Sequence, residues 1–279
     1  MRVLVTGAAG QVGHALAQAC AGDDLIALDR AQLDVTDRAL VHAVVAGTRP
    51  DAVIHAAAWT AVDACEDDPE RAFRVNALGT RHVAEAARAA GAHLTYVSTD
   101  YVFDGELARP YHEWDAPNPR SVYGRSKLAG EHALDPDAAI VRISWVCGRH
   151  GSNMVKTILR LAAEHETLHF VDDQRGKPTF AEDVAPLIRR IAAERRGGVI
   201  HATNQGETTW FAFAQAVLAA AGADPGRVLP ITTAQLDPPR PAPRPANSVL
   251  DNAVLRMEGI PLLPDHRESL TRLVHDLTA

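Results

Sequence analysis

Val3-Leu4-Val5-Thr6-Gly7-Ala8-Ala9-Gly10-Gln11-Val12-Gly13 joins a β-branched run to a helical pattern through three glycines at GxxGxxG spacing. Glycines at these positions let the backbone turn tightly, approach a pyrophosphate and pack the following helix against the strand. The helix start adds unpaired N–H donors and positive potential, which suit a phosphate. Alone the spacing is weak, because Gly7 and Gly10 also serve an ordinary turn. Its surroundings strengthen it: Asp29 closes the next β-branched run, Leu25 to Asp29, where a carboxylate meets the ribose of a dinucleotide.

Outward from this loop, strand-like and helix-like segments alternate. Strand patterns fall at Arg2 to Thr6, Leu25 to Asp29, Ala52 to His55, His93 to Ser98 and Ala139 to Ile143. Helical patterns fall at Gln11 to Cys20, Asp37 to Ala46, between Asp68 and Ala90, and around Val122 to His132. This rhythm predicts an α/β fold, a Rossmann-like doubly wound parallel sheet. After Trp145 the pattern loosens into a helix near Ser152 to His165, a strand at Leu168 to Val171 and a helix near Ala181 to Arg195. Gly198 to Ala202 reads as one more sheet strand, Asp237 to Pro245 is too proline-dense for regular structure, and a last helix falls around His266 to Leu277. We therefore expect residues 1-145 with 181-205 to form the dinucleotide-binding domain, and 146-180 with 206-279 to form a smaller C-terminal substrate-binding lobe.

With 279 residues the chain has volume for a continuous apolar core. A net charge of -7 leaves no basic stripe for nucleic acid. Strand-like sequence begins at Arg2, and the longest apolar run, Phe211 to Ala223, is too short for a bilayer span, so a cytoplasmic protein without membrane contact is expected. Cys20, Cys65 and Cys147 are odd in number and far apart, which suits reduced core thiols rather than disulfides or zinc. His165 and His169 lack a third ligand at useful spacing, and no metal site is expected.

Tyr123-Gly124-Arg125-Ser126-Lys127 sets a phenol and an ammonium at i and i+4 on one helix face. Carbonyl reduction needs a proton delivered to oxygen as hydride reaches carbon, and a neighbouring cation lowers a phenol's pKa toward the working range. Upstream, the strand at Leu94 to Val97 opens into Ser98, Thr99 and Asp100 at its carboxyl end, where ligands bind in doubly wound sheets, and Thr99 is placed to hold a substrate carbonyl. Plainer roles exist for each: a snorkelling surface lysine for the Tyr/Lys pair, turn capping for Ser98 and Thr99. The order glycine loop, threonine, Tyr/Lys favours chemistry. Asp29 suits the free 2′-hydroxyl of NADH and Arg30 the 2′-phosphate of NADPH, and both stay open. Asp34 either meets the adenine amino group or caps the helix that starts near Asp37.

Further segments extend the pattern: His55-Ala56-Ala57-Ala58-Trp59-Thr60-Ala61-Val62-Asp63, Arg142-Ile143-Ser144-Trp145, Asp172 to Thr179, and Arg244-Pro245-Ala246-Asn247-Ser248. With these the chain resembles, over nearly its whole length, the extended short-chain dehydrogenase/reductase family, in its branch that reduces nucleotide-linked keto sugars. The resemblance implies NADPH or NADH as cofactor, held by Gly7, Gly10, Gln11, Val12, Gly13, Asp34, Val35, Ala57 and Ala58, with Tyr123 and Lys127 on the nicotinamide ribose. It implies a small-molecule nucleotide sugar as partner, touched by Thr99, Asp100, Trp145, Asn153 and Arg244, and it allows a homodimer. Trp145 would cover the sugar ring; an ordinary core aromatic is its plainer role. Some members hold magnesium through a glutamate two residues beyond the last loop glycine. That position is Ala15 here, and Glu182 alone would hold Mg²⁺ poorly, so the metal is not expected. Related dehydratases carry Thr-Asp-Glu where this chain has Thr99-Asp100-Tyr101, and without the glutamate a simple reductase fits better. The alternatives are a reductase or epimerase of different sugar specificity, and a non-catalytic dinucleotide-binding regulatory subunit.

Overall fold

The computed structural model describes residues 1–278. From the N-terminus run β1 (Arg2–Thr6), α1 (Gln11–Ala19), β2 (Asp24–Leu28), α2 (Arg38–Thr48), β3 (Ala52–His55), α3 (Val62–Asp67), α4 (Pro69–Phe73), a π-helical turn (Arg74–Leu78), α5 (Gly79–Ala90), β4 (His93–Thr99), α6 (Val122–Glu131) and β5 (Ala139–Ile143). They are followed by β6 (Val146–Cys147), α7 (Met154–Glu164), β7 (Leu168–Val171), β8 (Arg175–Gly176), β9 (Thr179–Phe180), α8 (Ala181–Ala193), β10 (Gly198–His201), β11 (Thr208–Thr209), α9 (Trp210–Ala220), β12 (Val228–Ile231), α10 (Ala253–Met257) and α11 (His266–Thr278).

Six strands form one sheet in the order β10-β5-β4-β3-β1-β2, every neighbouring pair parallel. Val3, Leu4 and Val5 are wholly buried, as a central strand covered by helices on both faces requires. Leu16 of α1 with Val184, Ile188 and Ile191 of α8 fill one face. Val41 and Val45 of α2 with Val83 and Ala87 of α5 fill the other. The winding reverses between β1 and β3, which opens a crevice at the carboxyl ends of those strands. The predicted strand at Gly198 to Ala202 is present as β10, paired with β5.

Several elements differ from the sequence expectation, among them α3, α9, α10 and β12, which no local pattern predicted. The single helix expected between Asp68 and Ala90 is two: Asp68 caps α4 by accepting from the Arg71 N–H at 3.0 Å, Pro69 occupies its first turn, and the π-helical turn joins α4 to α5. A separate apolar cluster gathers Val155 and Ile158 of α7, Phe213 and Val217 of α9, and Leu270 and Leu273 of α11. Leu255, Ile260 and Leu263, by contrast, pack into the core of the sheet. Cys20, Cys65 and Cys147 are all buried and free. Among the described residues, no helix is long and apolar enough to cross a membrane.

Candidate functional site

A cavity of about 580 Å³ sits over the carboxyl ends of β1, β4 and β5, within the size range of small-molecule sites. Gly10, Gln11, Val12 and Gly13 line it, together with Thr99, Asp100, Tyr123, Lys127 and Trp145. Gly10, Ala56 and Ala58 also line a second recess of about 210 Å³, whose walls include Gly7, Arg30, Asp34, Val35 and Ala57. The fold thus brings the glycine loop, the threonine and the Tyr/Lys pair to one space.

The loop has the shape a pyrophosphate needs. Gly7 adopts φ +73°, and a Cβ there would lie 2.6 Å from the Ala57 nitrogen, while one at Gly13 would lie 2.2 Å from the Gly7 carbonyl oxygen. No side chain caps α1 at Gly10, so its first N–H groups remain available to an anion. In the second recess the wall carries Arg30 and not Asp29. The Asp29 carboxylate is engaged locally, accepting from the N–H groups of Ala31 at 2.8 Å and Gln32 at 3.0 Å. Arg71 adds a second cation, its guanidinium 4.3 Å from the Trp59 ring centroid. Of the two roles open to Asp34, the helix cap belongs instead to Asp37, which accepts from the Leu40 N–H at 3.0 Å. Asp34 instead takes the Thr36 N–H and hydroxyl, and it lines the recess.

Two sequence-predicted substrate residues lie outside the cavity wall. Asn153 caps α7 and donates to Gln11 Oε1 at 3.1 Å, tying the later part of the chain to the glycine loop. Arg244 is held in a two-bond pair by Asp63, at 2.9 and 2.8 Å.

Helix α6 begins at Ser121, whose hydroxyl accepts from the Gly124 N–H at 3.1 Å, and this start sets Tyr123 and Lys127 facing the cavity. Gly124 is required there, since a Cβ would lie 2.1 Å from the Tyr101 carbonyl oxygen. Lys127 is 2% exposed; its ammonium donates to the Val97 carbonyl at 2.8 Å and lies 4.0 Å from the Tyr96 ring centroid. Burial lowers it to about 7, with Glu131 opposing the shift. The expectation that Lys127 would lower the Tyr123 phenol is not met in this state. Burial pushes Tyr123 up, only partly offset by the Thr99 hydroxyl, because the ammonium is turned to the Val97 carbonyl and the Tyr96 face.

Asp100 is 2% exposed: Oδ1 accepts from the Thr99 hydroxyl at 3.0 Å, and Oδ2 is buried without a hydrogen-bond partner. Burial raises its carboxyl to about 6. A carboxyl raised in the folded state favours folding while protonated, so stability is greatest below the unfolded value near 3.8 and falls as pH rises through about 6. Asp100→Asn removes this dependence, and above neutrality the variant is expected to be more stable by roughly 2–3 kcal/mol. Thermal melts across pH check it, and parallel curves for both proteins would refute it.

A buried polar network behind the site escaped the sequence reading. His55, at 0% exposure, shares hydrogen bonds with Thr6 at 2.7 Å and Thr80 at 3.1 Å, and burial holds it neutral by lowering it to about 3. Asn76, in the π-helical turn, accepts from the Trp59 N–H at 2.8 Å and donates to Trp59 O and the Ser126 hydroxyl. It therefore fixes the cofactor-side loop and α6 to each other, in keeping with the frequency of π turns at functional sites. The available signals were a histidine closing an apolar strand and an asparagine inside a helical pattern shortly before Gly79.

Among the described residues, no three His, Cys, Asp or Glu side chains gather as a metal site. Glu182 instead accepts from the Arg149 N–H at 2.9 Å.

Comparison with known proteins agrees with this geometry. The family described as the RmlD substrate binding domain matches residues 1–279. A dTDP-4-dehydrorhamnose reductase of Streptomyces griseus is 44% identical over 281 residues, covering 97% of this chain and 92% of the relative. The crystal structure of a dTDP-4-dehydrorhamnose reductase from Clostridium acetobutylicum superposes with a TM-score of 0.95 at 38% identity, covering 100% of both chains. That of the Bacillus anthracis dTDP-4-dehydrorhamnose reductase in complex with NADP gives a TM-score of 0.94 at 38% identity over 99% of each chain. Matched along its whole length, the chain belongs to the RmlD substrate-binding-domain family.

Proposed function

We propose that this chain is a cytoplasmic NADPH-dependent oxidoreductase that reduces the C4 keto group of dTDP-4-dehydro-L-rhamnose to dTDP-L-rhamnose. The observation that carries the reading is the single cavity in which the glycine loop, Thr99, Tyr123 and Lys127 meet. The names of the relatives at 38–44% identity support the sugar, and the NADP complex supports the cofactor. Three buried free thiols suit a reducing compartment. Residues 146-180 and 206-279 serve in this reading as the sugar-binding lobe, anchored on the sheet domain through Leu255, Ile260 and Leu263, and the sheet domain serves as the cofactor platform.

The uncapped start of α1 and the glycine cradle hold the pyrophosphate. The reduced nicotinamide, when bound, supplies the hydride. Thr99, turning its hydroxyl from Asp100, would hold the C4 carbonyl, and the Tyr123 hydroxyl donates its proton to O4 as negative charge develops there. Lys127, lowered to about 7, exchanges its proton near neutrality and would restore the site after each turnover once its ammonium leaves the Val97 carbonyl. Trp145 supplies an apolar wall to the deoxysugar. The test is NADPH oxidation by the purified chain with a panel of dTDP- and UDP-linked 4-keto-6-deoxysugars. Turnover confined to another sugar would replace the substrate, and no turnover with any would replace the enzyme by a binding subunit.

Arg30 and Arg71 in the adenosine recess, with Asp29 absent from its wall, favour the 2′-phosphate of NADPH. Arg30→Ala is expected to weaken NADPH binding by roughly tenfold, one exposed charge-assisted contact, and to leave NADH unchanged. Calorimetric titration with both cofactors checks this, and equal losses would point to a general packing role.

A further inference from the structure

Among the described residues, Trp145 is one of three non-glycine residues at positive φ, at +46°, and the only one of them in the cavity wall. A bulky residue is held in that conformation only where its surroundings impose it, and such sites concentrate where ligands are gripped. Two neighbours impose it here. The Trp210 indole stacks on the Trp145 indole with centroids 3.6 Å apart and planes within 8°. Gly176 lies so close that a Cβ there would fall 2.4 Å from Trp145 Cε2 and 2.7 Å from Nε1.

Both neighbours are themselves anchored. Gly176 pairs with Thr208 across β8 and β11, and Trp210 follows directly as the first residue of α9. Thr209 caps that helix through the Ala212 N–H at 3.1 Å and donates to Asp172 Oδ1 at 2.6 Å. Trp210 also meets Phe213 edge-on, a residue of the second apolar core. Nearly full face-to-face overlap is not the arrangement two indoles choose for themselves, since their quadrupoles favour an offset. The frame around them sets it.

We propose that Trp210 and Gly176, neither of which reaches the cavity, are positioning residues for sugar recognition: they lock Trp145 in its left-handed pose and so fix the wall against which the substrate ring lies. This rests on the reading that the nucleotide sugar occupies the cavity beside Trp145. Trp210→Leu removes the stacking partner and frees the indole, and Gly176→Ala displaces it. Trp210→Phe keeps an aromatic face.

The experiment measures KM, kcat and NADPH Kd with dTDP-4-dehydro-L-rhamnose for these variants, alongside circular dichroism of the coupled indole pair. Expected are loss of the exciton signal in Trp210→Leu and a KM for the sugar raised roughly tenfold, as the loss of one aromatic pair implies. kcat and NADPH Kd should stay within about threefold, the pattern of a variant that has lost substrate binding and no interaction special to the transition state. Gly176→Ala should behave alike, and Trp210→Phe should keep the wild-type KM. An unchanged KM in Trp210→Leu, or equal losses in sugar and cofactor binding, overturns the proposal. Failure of the underlying reading shows differently: the wild type itself would then turn over no keto sugar, and the proposal would fall with it.

Discussion

Tyr123→Phe is expected to lower kcat about 10³-fold, the scale of one positioned acid, while thermal stability stays near wild type. The change deletes one oxygen and little else. The ring keeps its packing with Cys65, Ala72 and Val122 and its edge contact to Tyr101 at 5.5 Å, so the helix that carries it is undisturbed. The other acids in the wall are poorer candidates. Lys127 is committed to the Val97 carbonyl, and one Asp100 oxygen already accepts from Thr99. Burial raises the phenol, which keeps it protonated until the substrate oxygen gains charge, the state a donor must be in. Steady-state kinetics with the preferred keto sugar decide the matter. If the Tyr123→Phe variant retains comparable rates, the proton comes from elsewhere, and a surviving rate that falls as pH rises through about 6 would identify Asp100 as its source.

What the sequence discloses and what it hides divide along contact distance in the chain. The glycine loop, the β-branched strands and the i, i+4 Tyr/Lys pair are local patterns, and each appears in the structure where its period placed it. Whether Asp29 or Arg30 faces the ribose depends on a local turn, in which Asp29 spends its carboxylate on Ala31 and Gln32, and residue type alone does not show that. The direction of the Tyr123 shift runs against the sequence expectation for a different reason: proximity in the helix says nothing of where a long side chain sends its charge, and Lys127 sends it to β4. Asn153 and Arg244 lie where contacts more than a hundred residues away hold them, with Gln11 and with Asp63. The left-handed Trp145 has no local signature, because Gly176 and Trp210 impose it from other strands and helices.

The same division explains the second large effect, at Glu131. This carboxylate closes α6 one turn beyond Lys127 and forms a two-bond pair with Arg142 of β5, at 2.6 and 3.0 Å, with both side chains no more than 4% exposed. Ser98, beside Thr99 in β4, donates to it as well. One buried carboxylate thus holds the catalytic helix to two strands. Glu131→Ala leaves the Arg142 guanidinium buried with no counter-charge, and its Nη1 already lacks a partner. An uncompensated buried charge costs about 3–5 kcal/mol, which for a chain of this size lowers Tm by roughly 10 °C. Glu131→Met with Arg142→Leu, which removes both charges, should recover most of the loss, as replacing a whole buried pair often does. A double variant no more stable than Glu131→Ala would place the cost in packing instead of charge. The milder Glu131→Gln reaches the chemistry. Glu131 is the charge that favours protonated Lys127 against burial, so its neutralisation moves the Lys127 value further down, and the alkaline limb of kcat should shift to lower pH. Coincident pH profiles for Glu131→Gln and wild type would separate the ion pair from the working lysine.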